Sequence, residues 1–426
     1  QRMYKGLDQE VFTTNRKPEP IVHIEDLEAY NEKEGLALSK EEMDYLKKVE
    51  QDLGRKLTDS EVFGFAQINS EHCRHKIFGG TFIIDGVEQE SSLFQMIKKT
   101  TQENPNKIIS AYKDNVAFAE GPVIEQFAPA DHSKPDYFQV KDIKSVISLK
   151  AETHNFPTTV EPFNGASTGT GGEIRDRMGG GKGSWPIAGT AVYMTSYPRT
   201  DEDRPWEEIL PVRQWLYQTP EQILIKASNG ASDFGNKFGQ PLICGSVLTF
   251  EHCEEATSYE LRATSSAQPL VAGSPVAGSS TTYGYDKVIM LAGGVGYGTK
   301  RDCLKGAPEA GNKVVVIGGD NYRIGLGGGS VSSVDTGRYS SGIELNAVQR
   351  ANAEMQKRAY NVVRALCEED NNPVVSIHDH GSAGHVNCLS ELVEECGGVI
   401  DMSNLPVGDK TLSAKEIIAN ESQERM

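Results

Sequence analysis

Residues 146–157 read Val146-Ile147-Ser148-Leu149-Lys150-Ala151-Glu152-Thr153-His154-Asn155-Phe156-Pro157. The apolar beginning predicts a strand that runs into polar residues. Because side chains alternate along a strand, Lys150, Glu152 and His154 are expected on one face. That face would carry a cation suited to phosphate, a carboxylate suited to Mg²⁺ and a titratable imidazole. The stretch therefore indicates a ligand site at the end of a strand, the alternative being a solvated edge strand.

Further short apolar runs follow this strand along the chain, and each ends in polar or glycine-rich residues. They span Val288–Leu291, Val314–Ile317 and Val374–Ile377. One helix is predicted between the last two runs, over Lys357–Cys367, and another after them, over Leu389–Cys396. The pattern is typical of an α/β or α+β sheet whose ligand loops follow strand ends. The clearest interruption, between Lys300 and Lys313, predicts a domain boundary.

Residues 1–60 are polar and predict helices. Residues 24–31 and 39–54 each have an amphipathic pattern, and Ser39 with Glu42 offers the second helix a capping box. Thr58 with Glu61 could cap a third helix that runs toward Ile68.

A glycine-rich segment spans residues 164–183 and predicts a phosphate-binding loop. Its glycines are Gly165, Gly169, Gly171, Gly172, Gly179, Gly180, Gly181 and Gly183. Glycine lets backbone N–H groups surround an anion, and Arg175 and Asp176 add a phosphate partner and a metal ligand. Gly183 follows Lys182 where a Walker motif needs serine or threonine, so the loop is not a P-loop. A flexible surface loop is the alternative.

Three other stretches bear chemical groups. Residues 69–76 read Asn-Ser-Glu-His-Cys-Arg-His-Lys, a crowding of charge that is either a site or a solvated surface run. Residues 318–330 place glycines directly after a predicted strand, a common phosphate position. Residues 378–384 place Asp379 after another predicted strand, where it could bind a metal. The residues alone indicate an enzyme that handles a phosphorylated substrate, ATP above all, with Mg²⁺.

Composition limits the class of protein. The 426 residues suggest two or three domains, and 38% hydrophobic with 24% charged residues is typical of a soluble protein. No apolar run approaches a membrane span, and no signal peptide is visible. A net charge of −17 argues against nucleic acid as a main partner. Seven scattered cysteines without a C-x-x-C pair favour a reducing cytoplasm. Gln1 at the start and the polar stretch before Met426 predict that the sequence is a piece of a longer chain.

Six motifs in order resemble the synthetase portion of the formylglycinamide ribonucleotide amidotransferases. They are residues 69–76, 152–157, 171–176, 347–350, 378–379 and 421–426. The resemblance runs from about residue 60 to the end, and the motif sequences resemble the long single-chain form of the enzyme more than the short form. It implies an AIR-synthetase-like α+β fold with a barrel shared between two repeats. The domains would be a helical linker (1–79), an N-terminal-type ATP and substrate domain (80–302) and a C-terminal-type α/β domain (303–426).

The resemblance also implies roles for individual residues. His72 and His154 would be catalytic, His154 as the proton acceptor. Glu152, Asp176 and Asp379 would bind Mg²⁺. The ATP-binding residues would be Lys150, His75, Gly165, Ala166, Ser167, Thr168, Gly169, Thr170, Gly171, Gly172, Glu173, Ile174, Arg175 and Asp176. The substrate, formylglycinamide ribonucleotide, would contact Thr153, His154, Asn155, Phe156, Arg175, Gln349, Glu421, Ser422 and Gln423.

Several matters stay open at this stage. His380 departs from the family, which usually has a small or apolar residue there. No glutaminase arrangement is visible, so ammonia would come from a glutaminase domain outside this sequence. A second synthetase repeat is also expected outside it, or a homodimer could imitate that repeat. The alternatives are a nucleotide-binding but catalytically incomplete half, or a relative such as an aminoimidazole ribonucleotide or selenophosphate synthetase.

Overall fold

The N-terminal part is helical, as its capping signals predict. The computed structural model describes residues 14–201, 203–207, 218–255 and 280–426. Helices α1 (Leu27–Glu34), α2 (Lys40–Leu53) and α3 (Asp59–Ile68) pack around one apolar core. Both predicted capping boxes are confirmed, Ser39 with Glu42 and Thr58 with Glu61. Two single turns, α4 (Glu71–Arg74) and α5 (Lys76–Gly79), then carry the charged 69–76 motif.

A six-stranded sheet forms the centre of the described fold. A hairpin of β1 (Ile83–Ile84) and β2 (Val87–Glu88) and helix α6 (Leu93–Glu103) come before it. The sheet contains β3 (Ile108–Ser110), β4 (Ala117–Ala128), β5 (Gln139–Thr153), β6 (Trp185–Thr195), β7 (Leu242–Thr249) and β10 (Ile289–Thr299). Strands β8 (Glu251–Glu255) and β9 (Ser280–Gly284) form a separate hairpin. The strand order of the sheet is β3-β4-β5-β10-β6-β7, and only β6 and β7 run parallel. The strands predicted at 146–149 and 288–291 are confirmed, and the fold is α+β.

Helices cover one face of this sheet. These are α7 (Asn155–Val160), α8 (Pro162–Met178) and α9 (Pro220–Phe238). On β5, Val146 and Ser148 are fully buried on the face that also carries Lys150, whereas Ile147 and Leu149 on the opposite face are exposed. The sheet is open among the described residues, so a barrel shared with a second repeat remains a proposal.

The predicted glycine-rich loop is wrong, because most of residues 164–183 form helix α8. Proline at the first helical position and the small residues that follow allow the helix to begin. A Cβ on Gly165 would press into the carbonyl group of Pro157, and one on Gly171 would lie 2.7 Å from the ring of Phe234. The glycines therefore allow close packing of the helix instead of surrounding an anion.

The C-terminal part, residues 300–426, is mostly helix and irregular chain. Its helices are α10 (Gly328–Ser332), α11 (Ser341–Asn346), α12 (Ala353–Glu368), α13 (Gly384–Leu392) and α14 (Ala414–Ile418). The helix predicted over 357–367 is confirmed within α12, and the one predicted over 389–396 begins and ends earlier, as α13. None of these helices, nor any other in the described ranges, has the length and apolar character that a bilayer span requires.

The strands predicted at 314–317 and 374–377 are wrong. Neither segment joins a ladder within the described residues. Ile317 exchanges two backbone hydrogen bonds with Met426, at 3.0 and 2.9 Å, and the two segments line an apolar pocket of about 420 Å³. An apolar run becomes a strand only where a neighbour supplies the pairing, and four residues cannot reveal that neighbour.

Candidate active site

The polar face of β5 meets helix α8 in a buried ion cluster. The Lys150 ammonium lies 2.9 Å from a carboxylate oxygen of Glu152 and 2.7 Å from one of Asp176. The alternation along β5 thus places Lys150 and Glu152 on one face, as predicted. Burial alone would lower the pKa of Lys150, but the two carboxylates outweigh burial and raise it. Lys150 is therefore firmly charged and holds a strand and a helix together.

The third predicted metal carboxylate, Asp379, lies beside this cluster. It accepts a hydrogen bond from Nε of Arg175 at 3.2 Å and another from the side-chain amide of Asn115 at 2.9 Å. Burial and then the neighbouring charge of Asp379 raise the pKa of Asp176 well above its usual value, even though Lys150 opposes the shift. Negative charge is crowded here, in a way that bound cations would relieve.

The three carboxylates suit Mg²⁺ by chemistry, because the ion prefers oxygen ligands. In the described part of the chain, however, no three histidine, cysteine or carboxylate side chains are disposed as a formed metal site. Lys150 and Arg175 neutralise the carboxylates instead. Binding a divalent ion would therefore require these side chains to share or release their partners.

The two predicted catalytic histidines, His72 and His154, both feel the negative charge of Glu152. His154 follows β5 directly, and its Nδ1 lies 2.6 Å from the Gly165 carbonyl oxygen. A carbonyl can only accept, so Nδ1 carries the proton and Nε2 is the free acceptor. Burial lowers the pKa of His154 to about 4, in spite of Glu152. Desolvation likewise lowers the pKa of His72, and Glu152 is again the largest opposing charge.

His72 lies on the short helix α4 that follows the linker helices, and it is exposed. Ser70 caps its short helix α4 and lies against α10. His75 adopts a left-handed conformation with φ 50° between α4 and α5, and its charge also acts on His72. Half of the 69–76 motif is exposed, including both of its histidines, so its place in a site stays a prediction.

The predicted substrate residues divide into two groups. Near His154, Thr153 is exposed, Asn155 accepts a backbone hydrogen bond from Met290 and Phe156 is packed in the core. The second group is buried and paired internally: Gln349 donates to Glu421 at 3.1 Å.

Residues 421–423 are also almost fully buried, and Ser422, Gln423 and Glu424 all have positive φ near 54°. Such backbone costs about 1–3 kcal/mol per residue and is typical of functional turns. Burial raises the pKa of Glu421 although Gln349 and backbone amides donate to it.

The remaining residues predicted to bind ATP lie inside α8. Those from Gly165 to Asp176 are buried except for the half-buried Gly172. Glu173 forms a fully buried ion pair with Arg177, and Gln240 donates to Glu173 at 2.6 Å. Backbone N–H groups within a helix are already paired, so only side chains and the helix ends could meet a nucleotide. Their roles stay predictions.

The sequence interpretation missed three residues at the site. Asn115 contacts Asp379, and Gln356 accepts from Arg175 at 3.4 Å while donating to the Gly171 carbonyl at 2.8 Å. The third, Lys287, precedes β10 and acts on His72. Of the three, only Asn115 could have been found from the sequence, because it belongs to a run of polar residues just before a strand.

His380, the departure from the family pattern, is buried against a second histidine. Its Nε2 lies 2.9 Å from Nδ1 of His385, and its backbone N–H donates to the Arg425 carbonyl. Burial lowers the pKa of both histidines. The pair therefore packs behind Asp379 in neutral form.

Comparisons with known proteins agree with this arrangement. Residues 27–76 match the formylglycinamide ribonucleotide amidotransferase linker domain, and residues 309–426 match the C-terminal domain of AIR synthase related proteins. An Arabidopsis thaliana protein named "Probable phosphoribosylformylglycinamidine synthase, chloroplastic/mitochondrial" is 37% identical over 424 residues. That match covers 97% of this chain but 28% of the relative. The cytoplasmic location expected from the cysteines remains a prediction.

Solved structures give the same fold. A Thermotoga maritima PurL complexed with FGAR has a TM-score of 0.53 and 21% identity, over 90% of this chain and 47% of that one. A phosphoribosylformylglycinamidine synthase II from the same organism has a TM-score of 0.50 and 20% identity, over 90% and 45%. At these identities the likeness shows the fold alone. With the linker and C-terminal matches at the expected places, the chain belongs to the formylglycinamide ribonucleotide amidotransferase family and corresponds to part of such a protein.

Proposed function

We propose that the chain carries the synthetase chemistry of its family, the ATP-dependent conversion of formylglycinamide ribonucleotide to the formylglycinamidine ribonucleotide. One observation supports this above the others, the gathering of cations, carboxylates and neutral histidines at the end of β5. These residues are His72, Lys150, Glu152, His154, Arg175, Asp176 and Asp379. They come from the linker, the sheet, α8 and the C-terminal part, as a site for several reactants requires.

The reaction has two steps, and each suits these groups. The glycinamide carbonyl oxygen of the substrate, the one that the amidine nitrogen will replace, attacks the terminal phosphoryl group of ATP and releases ADP. Ammonia then attacks the activated carbon, loses a proton, and phosphate leaves as the C–N bond completes. Lys150 and Arg175 would stabilise phosphoryl charge in the first step.

Glu152, Asp176 and Asp379 would hold Mg²⁺, which when bound neutralises charge on the transferring phosphoryl group. Asp176 is the ligand whose raised pKa would fall most, because a cation favours its ionised form.

Neutral His154 would accept the proton in the second step. Its Nδ1–H is fixed by Gly165, and Nε2 has the lone pair. His72, which Glu152 also influences electrostatically, would stabilise the activated amide.

A second candidate is a nucleotide-binding half that cannot turn over alone. The exposed apolar face of β5, with Ile147 and Leu149, supports it, since such a face suits a second sheet. A second synthetase repeat, or another copy of this chain, would cover the face. Ammonia would come from a glutaminase domain elsewhere. A monomeric mass in light scattering would exclude the homodimer.

Calorimetric titration with formylglycinamide ribonucleotide, with and without a Mg²⁺-bound non-hydrolysable ATP analogue, tests both candidates. Micromolar binding that is lost in His154→Ala and Arg175→Ala would support the site. ADP release with substrate, Mg²⁺-ATP and ammonium would favour the complete synthetase over the incomplete half. A folded protein that binds neither ligand at millimolar concentration would overturn both candidates.

A further inference from the structure

Lys287 stands beside the proposed site and has no assigned role. It lies two residues before β10, in a segment whose backbone is hydrogen-bonded to its surroundings. The Val288 N–H donates to Oγ1 of Thr159 at 3.1 Å, and the Met290 carbonyl accepts from the His154 N–H at 3.0 Å. The backbone that carries Lys287 is therefore tied to the same helix and histidine that the proposed substrate residues occupy.

The Lys287 ammonium keeps donors to spare. It donates to the Ser332 carbonyl at 3.1 Å and lies 5.9 Å from the ring centroid of Phe156. Within the described ranges it is in no ion pair, although the carboxylates of Asp335 and Glu344 lie close enough to raise its pKa. Burial outweighs them and lowers the pKa of Lys287. An ammonium has three donors, so at least one remains available to a ligand.

Two other cations of the site, Lys150 and Arg175, are already engaged. Lys150 is held by two carboxylates, and Arg175 is 3% exposed and bonded to Asp379 and Gln356. A further cation in the C-terminal part, Arg350, lies over the Tyr322 ring with its centre 4.6 Å from the centroid. Its buried Nε has no hydrogen-bond partner among the described residues, which makes Arg350 the competing ligand for a phosphate. A substrate phosphate dianion requires a cation with free donors, and Lys287 meets that condition beside His72 and Phe156.

We propose that Lys287 binds the 5′-phosphate of the ribonucleotide substrate and so selects phosphorylated over unphosphorylated ligands. The inference rests on the proposed function, since it concerns the same site. Ser332 and Phe156 orient the ammonium, and the substrate's reacting amide then points toward His154.

The test is calorimetric titration of the full chain with formylglycinamide ribonucleotide and with its 5′-hydroxyl riboside. The ratio of the two affinities measures the phosphate contact alone. In Lys287→Met the ratio should fall about 10- to 100-fold, the effect expected for a lost charge-assisted hydrogen bond. Lys287→Arg should keep most of it, and Lys226→Met, at an exposed lysine of α9, should leave it unchanged.

Each other outcome is decisive. An unchanged ratio in Lys287→Met, or a fall in Arg350→Met instead, would overturn the assignment while leaving the proposed function intact. Equal binding of both ligands by the wild type would also overturn it. If the folded wild type binds neither ligand nor the ATP analogue, the proposed function itself fails and this inference with it. Circular dichroism melting confirms that each variant is folded.

Discussion

Replacing Arg177 by methionine tests the buried interior of α8. Arg177 and Glu173 are fully buried, four residues apart on one helix. Nε of Arg177 donates to Glu173 at 2.9 Å, and Nη1 donates to the Val295 carbonyl at 2.6 Å. Gln240 joins both side chains. The arginine thus connects the helix to β10 and to the chain before β7.

Arg177→Met should lower the free energy of unfolding by about 3–5 kcal/mol, because it leaves a buried carboxylate without its cation. Burial already raises the pKa of Glu173 to about 7, against the effect of Arg177. Without the arginine the pKa rises further, so the variant must neutralise Glu173 above its unfolded pKa of about 4.5. The penalty should therefore be larger at pH 8.5, where only the variant must keep the carboxyl protonated, than at pH 6, where both proteins hold Glu173 largely neutral.

The assay is urea unfolding followed by circular dichroism at both pH values, with an internal control. Arg358 and Glu354 form the same four-residue pair on α12, but their side chains are 70% and 75% exposed. Arg358→Met should therefore change stability by no more than about 0.5 kcal/mol. Similar losses in both variants, or a loss below about 1 kcal/mol in Arg177→Met, would refute the reasoning.

Three further predictions concern packing, pH and the linker. Gly165→Ala should lower the free energy of unfolding by about 3 kcal/mol, because the added methyl group overpacks the helix against its neighbour. Gly172→Ala, whose nearest neighbour would lie 3.8 Å away, should raise it by up to about 1 kcal/mol. Equal effects of the two variants in thermal melts would contradict the helix. Burial and then a neighbouring guanidinium lower the pKa of His385 to about 3. The unfolded chain therefore takes up a proton between pH 7 and pH 5 that the folded chain does not, and the free energy of unfolding should fall by about 2 kcal/mol over that range. In urea titrations, His385→Leu should reduce this dependence of stability on pH. Gln67→Met should cost about 1–3 kcal/mol, because a buried serine loses both hydrogen bonds to the amide; the exposed Gln51→Met is its control, and equal melting temperatures would count against the contact.

Local signals predicted the local structure well. Ser39 with Glu42 and Thr58 with Glu61 satisfy backbone groups within four residues, so their helices follow from sequence alone. The β5 strand and the shared face of Lys150 and Glu152 follow from alternation.

Non-local packing decided what the sequence did not reveal. The glycines of α8 indicate a loop when only the sequence is considered. The structure shows that they allow close contact with Phe234 and other side chains that cover the helix. The 314–317 segment needs a partner that four apolar residues do not identify. At the site, Arg175 pairs with Asp379 across 204 residues, and Asn115 reaches the same carboxylate across 264. Such contacts depend on topology and not on any spacing in the chain.

The pairing of Gln67 with Ser330 has a consequence for how the protein is made. The two residues are separated by 263 positions, and both are fully buried in the finished fold. At about 5–20 residues per second, a ribosome needs roughly 13–50 s to synthesise the chain between them. During that interval the side-chain amide of Gln67 on α3 is in contact with water, because Ser330 has not yet been synthesised. The helices of the linker can form early, but the site closes only late in translation, and a nascent chain stalled before Ser330 would present the linker surface to chaperones.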